Sequence, residues 1–347
     1  MKYILGIETS CDETAAAVVG DGTDLVASTI ASSKELHETT GGIVPEIAAR
    51  KQIEFIIPVL SKTLADFGKA INAGNRVETI AAIDSLAVTV GPGLIGSLLI
   101  GVEAAKTLSL AWGKPIVPVN HLVGHIYANF VNTENGENPI EFPALVLIVS
   151  GGHTDLVLMK GHGNLEFIGS TLDDAAGEAF DKTARLLGLS KYLGGAELSR
   201  LASSFNAQDA DSFLPRPLLD KNNYDFSFSG LKTSVKRVVE NSSYSADKIA
   251  YEFEEAVVDV LVSKTMRAAK EFKAKSLLLG GGVAANTKLR SRMNTEAVAA
   301  GLAVKIPPMN LCTDNAIYIA SAAYFNYTPR PLSQLKADPS LSILSKV

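Results

Sequence analysis

Apolar and polar positions fall into blocks along the chain, and the blocks come twice. Tyr3 to Ile7 and Ala15 to Val19 are apolar runs of strand length flanking Glu8-Thr9-Ser10-Cys11-Asp12-Glu13-Thr14. This polar hairpin turn would be costly in an apolar sheet unless it faced a ligand or solvent. Leu25 to Ser33 predicts a third strand, and His37 to Gly42 a glycine-ended loop. Glu46 to Phe67 has helical periodicity with Pro58 inside it, so a kink or a break is expected there. Ser85 to Val90 reads as a short buried strand, followed by Gly91-Pro92-Gly93-Leu94-Ile95-Gly96 and apolar helical spacing through Trp112. Such a strand, glycine turn and helix can bring bare backbone N–H groups to an anion or a nucleotide. Close packing of helix on sheet would use the glycines equally well.

The design then restarts. Ala144 to Val149, the turn Ser150-Gly151-Gly152-His153-Thr154 and Asp155 to Met159 repeat the opening hairpin. Ser276 to Leu279, Gly280-Gly281-Gly282-Val283 and a helix from Ala284 repeat the strand, glycine turn and helix. Two similar halves facing each other would place both pairs of turns around one cleft. Asn132 to Pro143, rich in Asn, Glu and Gly, is the expected hinge. The expected organisation is residues 1–133, residues 134–312, and a last segment, 313–347, whose helix from Asp314 to Tyr327 packs back on the first half.

An apolar run from Pro115 to Val119 gives way to Asn120-His121-Leu122-Val123-Gly124-His125. If Asn120 caps a helix, His121 and His125 lie one turn apart on one face and can reach one divalent cation. Asp314, in Leu311-Cys312-Thr313-Asp314-Asn315, is the best candidate for a third ligand. Two imidazoles and a carboxylate leave positions open for substrate oxygens. An i,i+4 histidine pair also serves packing and hydrogen bonding at least as often as metal binding. The spacing is similar to the HExxH zinc-protease signature, but Leu122 stands where that chemistry needs a glutamate.

Bulk properties narrow the setting. The 347 residues are 47% hydrophobic and 20% charged, enough for a large core in two packed units. The first eight residues, broken by Glu8, are too short for a signal peptide, and Glu103 and Lys106 interrupt the longest apolar stretch, so no membrane association is expected. Two cysteines, Cys11 and Cys312, cannot make a disulfide framework, which fits a cytoplasmic setting. The net charge of −5 argues against a generic nucleic-acid coat. Residues 231–306 nevertheless carry 13 Lys and Arg against 8 Asp and Glu, which permits a local phosphate-binding surface as readily as a solvated helix face.

The repeated halves resemble the actin/hexokinase/Hsp70-like superfamily: an α/β, duplicated (ASKHA) two-subdomain fold with a central cleft. A sharper resemblance rests on motifs running from about Ile4 to about Tyr327. They are Gly6 to Thr14, Gly41-Gly42-Ile43-Val44-Pro45-Glu46, Gly91 to Gly96, His121 with His125, and Val149 to Thr154. Asp173 to Lys182, Asp225 to Thr233, Gly281 to Asn286 and Cys312-Thr313-Asp314-Asn315 complete the set. In this order they make the chain similar to the bacterial TsaD family, tRNA adenosine threonylcarbamoyltransferases once labelled O-sialoglycoprotein endopeptidases.

The resemblance implies transfer of a threonylcarbamoyl group from threonylcarbamoyl-adenylate to N6 of the adenosine 3′ of the anticodon in tRNAs reading codons that start with A, with AMP leaving. It implies a divalent metal ion, Fe2+ first with Zn2+ or Mg2+ as alternatives, on His121, His125 and Asp314. It places the adenylate on Ile148, Val149, Ser150, Gly151, Gly152, Asp181, Gly195 and Asn286. Asp12 and Glu13, in the hairpin turn, are candidates to orient the target or accept the amine proton, with His153 an alternative. Expected partners are tRNA, a smaller paralogous subunit (TsaB-like) and a P-loop ATPase (TsaE-like), docking near the helix that starts at Glu46. Thr40, Gln52, Leu122, Val123 and Leu193 depart from the family pattern. An extra residue at Ser190-Lys191 leaves Gly194 as an alternative to Gly195. A metal-dependent ATPase or small-molecule kinase of the same superfamily, and a noncatalytic scaffold, are the competing readings; the paired histidines argue against the first and the complete ligand set against the second.

Overall fold

The opening apolar runs become the centre of a sheet. In the computed structural model, which describes residues 1–131 and 139–347, β1 (Tyr3–Glu8) pairs antiparallel with β2 (Glu13–Gly20), and β2 with β3 (Asp24–Ser32). The segment from His37, expected as a loop, belongs to a short helix, α1 (Lys34–Thr40), because Gly41 at φ 72° takes the left-handed conformation that ends a helix. α2 (Pro45–Ala70) begins with proline in its first turn and continues through Pro58 without the expected break. Pro58 lies on the exposed face, where the carbonyl it leaves without a donor is open to water. Then come α3 (Arg76–Ala82), β4 (Ser85–Gly91), α4 (Ile95–Trp112), β5 (Ile116–Asn120) and α5 (His121–Tyr127). β4 and β5 run parallel to β1, giving the order β3-β2-β1-β4-β5. By length and mean hydropathy (1.2) α4 could cross a membrane; here Leu98, Gly101, Val102 and Ala105 are buried within the domain.

The second half repeats the plan. β6 (Ala144–Val149), β7 (Thr154–Gly161) and β8 (Asn164–Ser170) form the antiparallel part. α6 (Ala176–Leu186), α7 (Gly195–Ser203), α8 (Ser229–Asn241) and α9 (Ala246–Glu271) lead to β9 (Ser276–Gly280), α10 (Thr287–Ala299) and β10 (Ala303–Lys305). β9 is parallel to β6 and β10 to β9, so the order β8-β7-β6-β9-β10 matches the first sheet strand for strand. The helix expected from Ala284 begins at Thr287, after a single 3-10 turn, with the Asn286 side chain accepting the Leu289 N–H at 2.8 Å. Two compact units result, Met1–Glu137 with Pro308–Val347, and Asn138–Pro307. Residues 132–138 of the expected hinge, and with them the expected boundary after Thr133, lie outside the described residues.

From Pro308 the chain is again part of the first unit. Its last helix, α11 (Ile317–Phe325), is shorter than the expected Asp314 to Tyr327. Asn315 Oδ1 accepts the N–H groups of Ile317 (3.0 Å) and Tyr318 (3.3 Å), which starts the helix there and leaves Asp314 in the preceding turn. The strand period decides what each face of the sheet meets. Leu5 and Ile7 of β1 enter the core with Val59, Leu64 and Phe67 of α2 and Val102 of α4. Gly6 and Glu8 point the other way. A Cβ on Gly6 would sit 2.4 Å from the Ala316 carbonyl oxygen and 2.9 Å from the Ala320 nitrogen, so glycine is what lets α11 lie against β1. The tail then crosses β5 and β4: Arg330 N donates to Ile116 O (2.9 Å), Asp338 N to Val90 O (2.7 Å), and the Asn120 side chain to Ser342 O (2.8 Å).

Candidate metal centre

The parallel strands β1, β4 and β5 end together, and their carboxyl ends carry the polar residues that interrupt the apolar runs: Glu8, Thr89 and Asn120. In open α/β sheets this is where ligands bind. Asn120 Oδ1 accepts the Leu122 N–H at 3.0 Å and starts α5. His121 and His125 therefore share one face, ring centroids 4.7 Å apart. Asp314 completes the group: its Oδ1 lies 3.5 Å from His121 Nε2 and 3.4 Å from His125 Nε2.

These three side chains each offer a ligand atom within 4.8 Å of the others, the one such group of three or more His, Cys, Asp or Glu among the described residues. The donor set, two imidazole nitrogens and a carboxylate, suits a divalent transition metal, and no lysine or arginine shares the site. His125 Nδ1 is buried with no hydrogen-bond partner among the described residues. The Nε2 atoms of both histidines face Asp314 Oδ1, so the three donor atoms converge on one place. The group thus fits a metal ion.

Electrostatics follow from the burial. Burial disfavours a charged His121, but the carboxylates of Asp314 and Glu8 outweigh it and push the imidazole up to about 9. His125, where burial dominates and His121 adds repulsion, is held below the usual histidine range. Burial alone would raise Asp314; the two histidines, with the Tyr318 hydroxyl donating at 3.4 Å, hold it well below the usual carboxylate range. Tyr318 leans on both rings, centroids 4.8 Å from His125 and 6.2 Å from His121.

The other expected residues are placed as follows. Asp12 is buried in the β1–β2 turn, and Glu13 opens β2 with Ser32 Oγ donating to it at 3.2 Å. Burial, a hydrogen bond to Asp12 and its charge push the Glu13 carboxyl up to about 10. The turn hangs from Gln52, whose Nε2 faces the carbonyls of Thr9 (3.2 Å), Cys11 (2.9 Å) and Glu13 (3.1 Å). In the second unit, Ile148 and Val149 end β6 with buried side chains, so only their backbones can meet a ligand. Gly151 and Gly152 are exposed, and a Cβ on either would touch nothing within 4 Å. The backbone amide of His153 donates to Ser150 Oγ at 3.1 Å. The structure brings Asp181 and Gly195 together, the carboxylate accepting the Gly195 N–H at 3.0 Å. Asn286 joins them through α7, donating to Ser199 Oγ (3.0 Å) and to Glu254 (2.7 Å). Sequence reasoning missed Glu8 and Tyr318. Glu8 carried a signal, as the one charged residue at the end of an apolar strand; Tyr318, in an apolar helix, carried none.

Two α/β units of identical strand order, the first bearing a largely buried His-His-Asp group, define a duplicated protein of the actin/hexokinase/Hsp70-like fold with a site able to take a metal ion. Solved structures agree on the fold. HypF from T. kodakarensis matches with TM-score 0.59 at 13% identity over 94% of this chain and 48% of its own. Component A of the (R)-2-hydroxyglutaryl-CoA dehydratase from Acidaminococcus fermentans matches with TM-score 0.52 at 15% identity, over 94% and 99%. The family model for TsaD, tRNA N6-adenosine threonylcarbamoyltransferase, matches residues 24–321. Relatives of that description from Bacillus subtilis (48% identical, 99% of this chain and 96% of theirs) and Dehalococcoides mccartyi (49%, 99% of both) align end to end. The chain belongs to the TsaD family of tRNA N6-adenosine threonylcarbamoyltransferases.

Proposed function

We propose that this chain moves the threonylcarbamoyl group of threonylcarbamoyl-adenylate onto N6 of the adenosine 3′ of the anticodon, in tRNAs reading codons that begin with A, and releases AMP. The observation that carries this reading beyond the family description is the convergence of His121, His125 and Asp314 on one point. They would hold one divalent cation, Fe2+ by the resemblance, with Zn2+ or Mg2+ compatible with the same donors. When bound, such an ion offsets negative charge that builds on acyl and phosphate oxygens.

The chain's own residues supply the rest. The exocyclic amine attacks the carbamoyl carbon, a C–N bond forms, the C–O bond to phosphate breaks, and the amine proton passes to a side chain. Glu13, pushed up to about 10 by burial and Asp12, keeps its proton through neutrality and serves as a hydrogen-bond donor. The acceptor role falls to Asp12 or His153. The exposed backbone amides of Gly151 and Gly152 are free to approach an acyl or phosphate oxygen closely. Asp181, Gly195 and Asn286, gathered around the start of α7, supply carboxylate, amide and backbone groups suited to a ribose and an adenine edge.

tRNA is the acceptor by family. A smaller TsaB-like paralogue and a TsaE-like P-loop ATPase are the proposed partners, in the cytoplasm. Ile53 and Ile57 on α2, with Ile95 and Leu99 on α4, expose apolar side chains on adjacent helices and suit such docking. The test is to incubate the protein and its partners with unmodified tRNA, threonine, bicarbonate, ATP and the adenylate-forming enzyme. The tRNA is then digested and threonylcarbamoyladenosine sought by mass spectrometry. The product should form, and should fall roughly a hundredfold or more in folded His121→Ala and Asp314→Ala variants. Undiminished product in both would remove the metal centre from the reaction.

A further inference from the structure

We propose that Glu8 is the positioning residue of the metal centre, a buried carboxylate that orients His121 so that its Nε2 presents a lone pair to the cation. The proposal rests on His121, His125 and Asp314 being the ligands.

Glu8 is fully buried at the end of β1. Its three partners all donate: the Ser10 amide to Oε1, and the Thr89 hydroxyl and His121 Nδ1 to Oε2, the last at 3.1 Å. Ser10 Oγ lies 3.4 Å from the same Nδ1. The β1–β4 register, Ile7 opposite Val88, is what sets Thr89 beside Glu8. A carboxylate in such a place is costly unless its lone pairs are used, and among the described residues no lysine or arginine pairs with it. A carboxylate can only accept. The Nδ1 proton is therefore held toward Glu8, and Nε2, aimed at Asp314, is the nitrogen that would give up its proton to a metal. Among the described residues His125 has no such partner on its Nδ1. One ligand of the pair is thus locked by the sheet, and the other is set by its helix and by packing on Tyr318.

Glu8→Gln tests this. The amide cannot satisfy both sets of donors. With its oxygen toward His121 the NH2 group meets the Ser10 N–H; turned over, it donates to Nδ1 and moves the ring proton to Nε2, where a metal must bind. Co2+ added to metal-free protein and followed by its visible absorption gives the affinity. Long-range 1H–15N spectra of Zn2+-loaded protein locate the His121 proton, and thermal unfolding without metal controls for folding. The expected result is Co2+ binding weakened 10–100-fold in protein that still unfolds cooperatively without metal, at a temperature lowered by the unsatisfied donor. Equal affinity with the proton still on Nδ1 would overturn the proposal. Should Glu8→Gln fail to fold, Thr89→Val, which removes only a donor to Glu8, should weaken Co2+ severalfold, and unchanged affinity overturns it likewise. His121→Ala separates the two readings. If it binds Co2+ as the parent does, the ligand assignment itself has failed; if it loses Co2+ while Glu8→Gln keeps it, only the role of Glu8 falls.

Discussion

Asp12 and Glu13 are neighbouring carboxylates at one turn, and burial, with the hydrogen bond to Asp12 and its charge, makes Glu13 hold its proton. In metal-free protein this sets a pH dependence. Glu13 is raised from 4.5 to about 10 on folding, so between those values the folded chain holds a proton that the unfolded chain has lost. The Glu13 contribution to stability should be complete below about 4.5 and be lost progressively as the pH climbs toward 10. Glu13→Gln, which cannot ionise, should flatten that decline and unfold a few degrees higher than the parent at pH 8. Parallel unfolding-temperature profiles for the two proteins from pH 5 to 9 would contradict it. At this scale the sequence was legible wherever chemistry repeats at a fixed spacing: the histidine pair, its Asn120 cap and the glycine turns are local patterns. Glu8 was visible only as the residue that broke an apolar run. Its role needs the register between β1 and β4, which no local pattern encodes.

The elements were read well where apolar runs are long and bounded by polar turns. β1, β2, β4 and β6 fall within a residue or two of the expected limits. Misreadings have local causes: Gly41 closes a helix rather than a loop, Asn315 delays the last helix, and a 3-10 turn delays α10. β8 and β10 escaped notice because one has a single buried residue and the other only three half-buried residues. The fit between elements yields a sharper expectation. Gly6→Ala forces a methyl group to within 2.4 Å of the Ala316 carbonyl, and backbone must move to admit it. Overpacking of this kind costs about 1–3 kcal/mol. Because α11 follows directly on Asp314, Co2+ affinity should fall along with stability. A variant as stable as the parent in denaturant titration would mean that β1 and α11 have room between them for a methyl group in solution.

For the molecule as a whole, the duplication is the clearest product of reading the sequence, since two hairpins and two glycine turns recur in the same succession; the order of strands in each sheet was not legible there. Charge is distributed unevenly over that plan. Residues 231–306, within the second unit, hold the surplus of cations. Lys232 is drawn to Asp174 (3.6 Å), whereas Arg237 is exposed on α8. Arg237→Ala should weaken tRNA binding and reduce the slope of log affinity against log salt by about one. An unchanged slope would take α8 out of the tRNA surface.

The tail's hold on Asn120 carries its own corollary. The amide that caps the histidine helix with its oxygen gives its N–H to the carbonyl of Ser342. Truncation of the chain just before Ser342 would leave His121, His125 and Asp314 in the sequence. It would still disturb them, through a single side chain that reads both ends of the first unit at once.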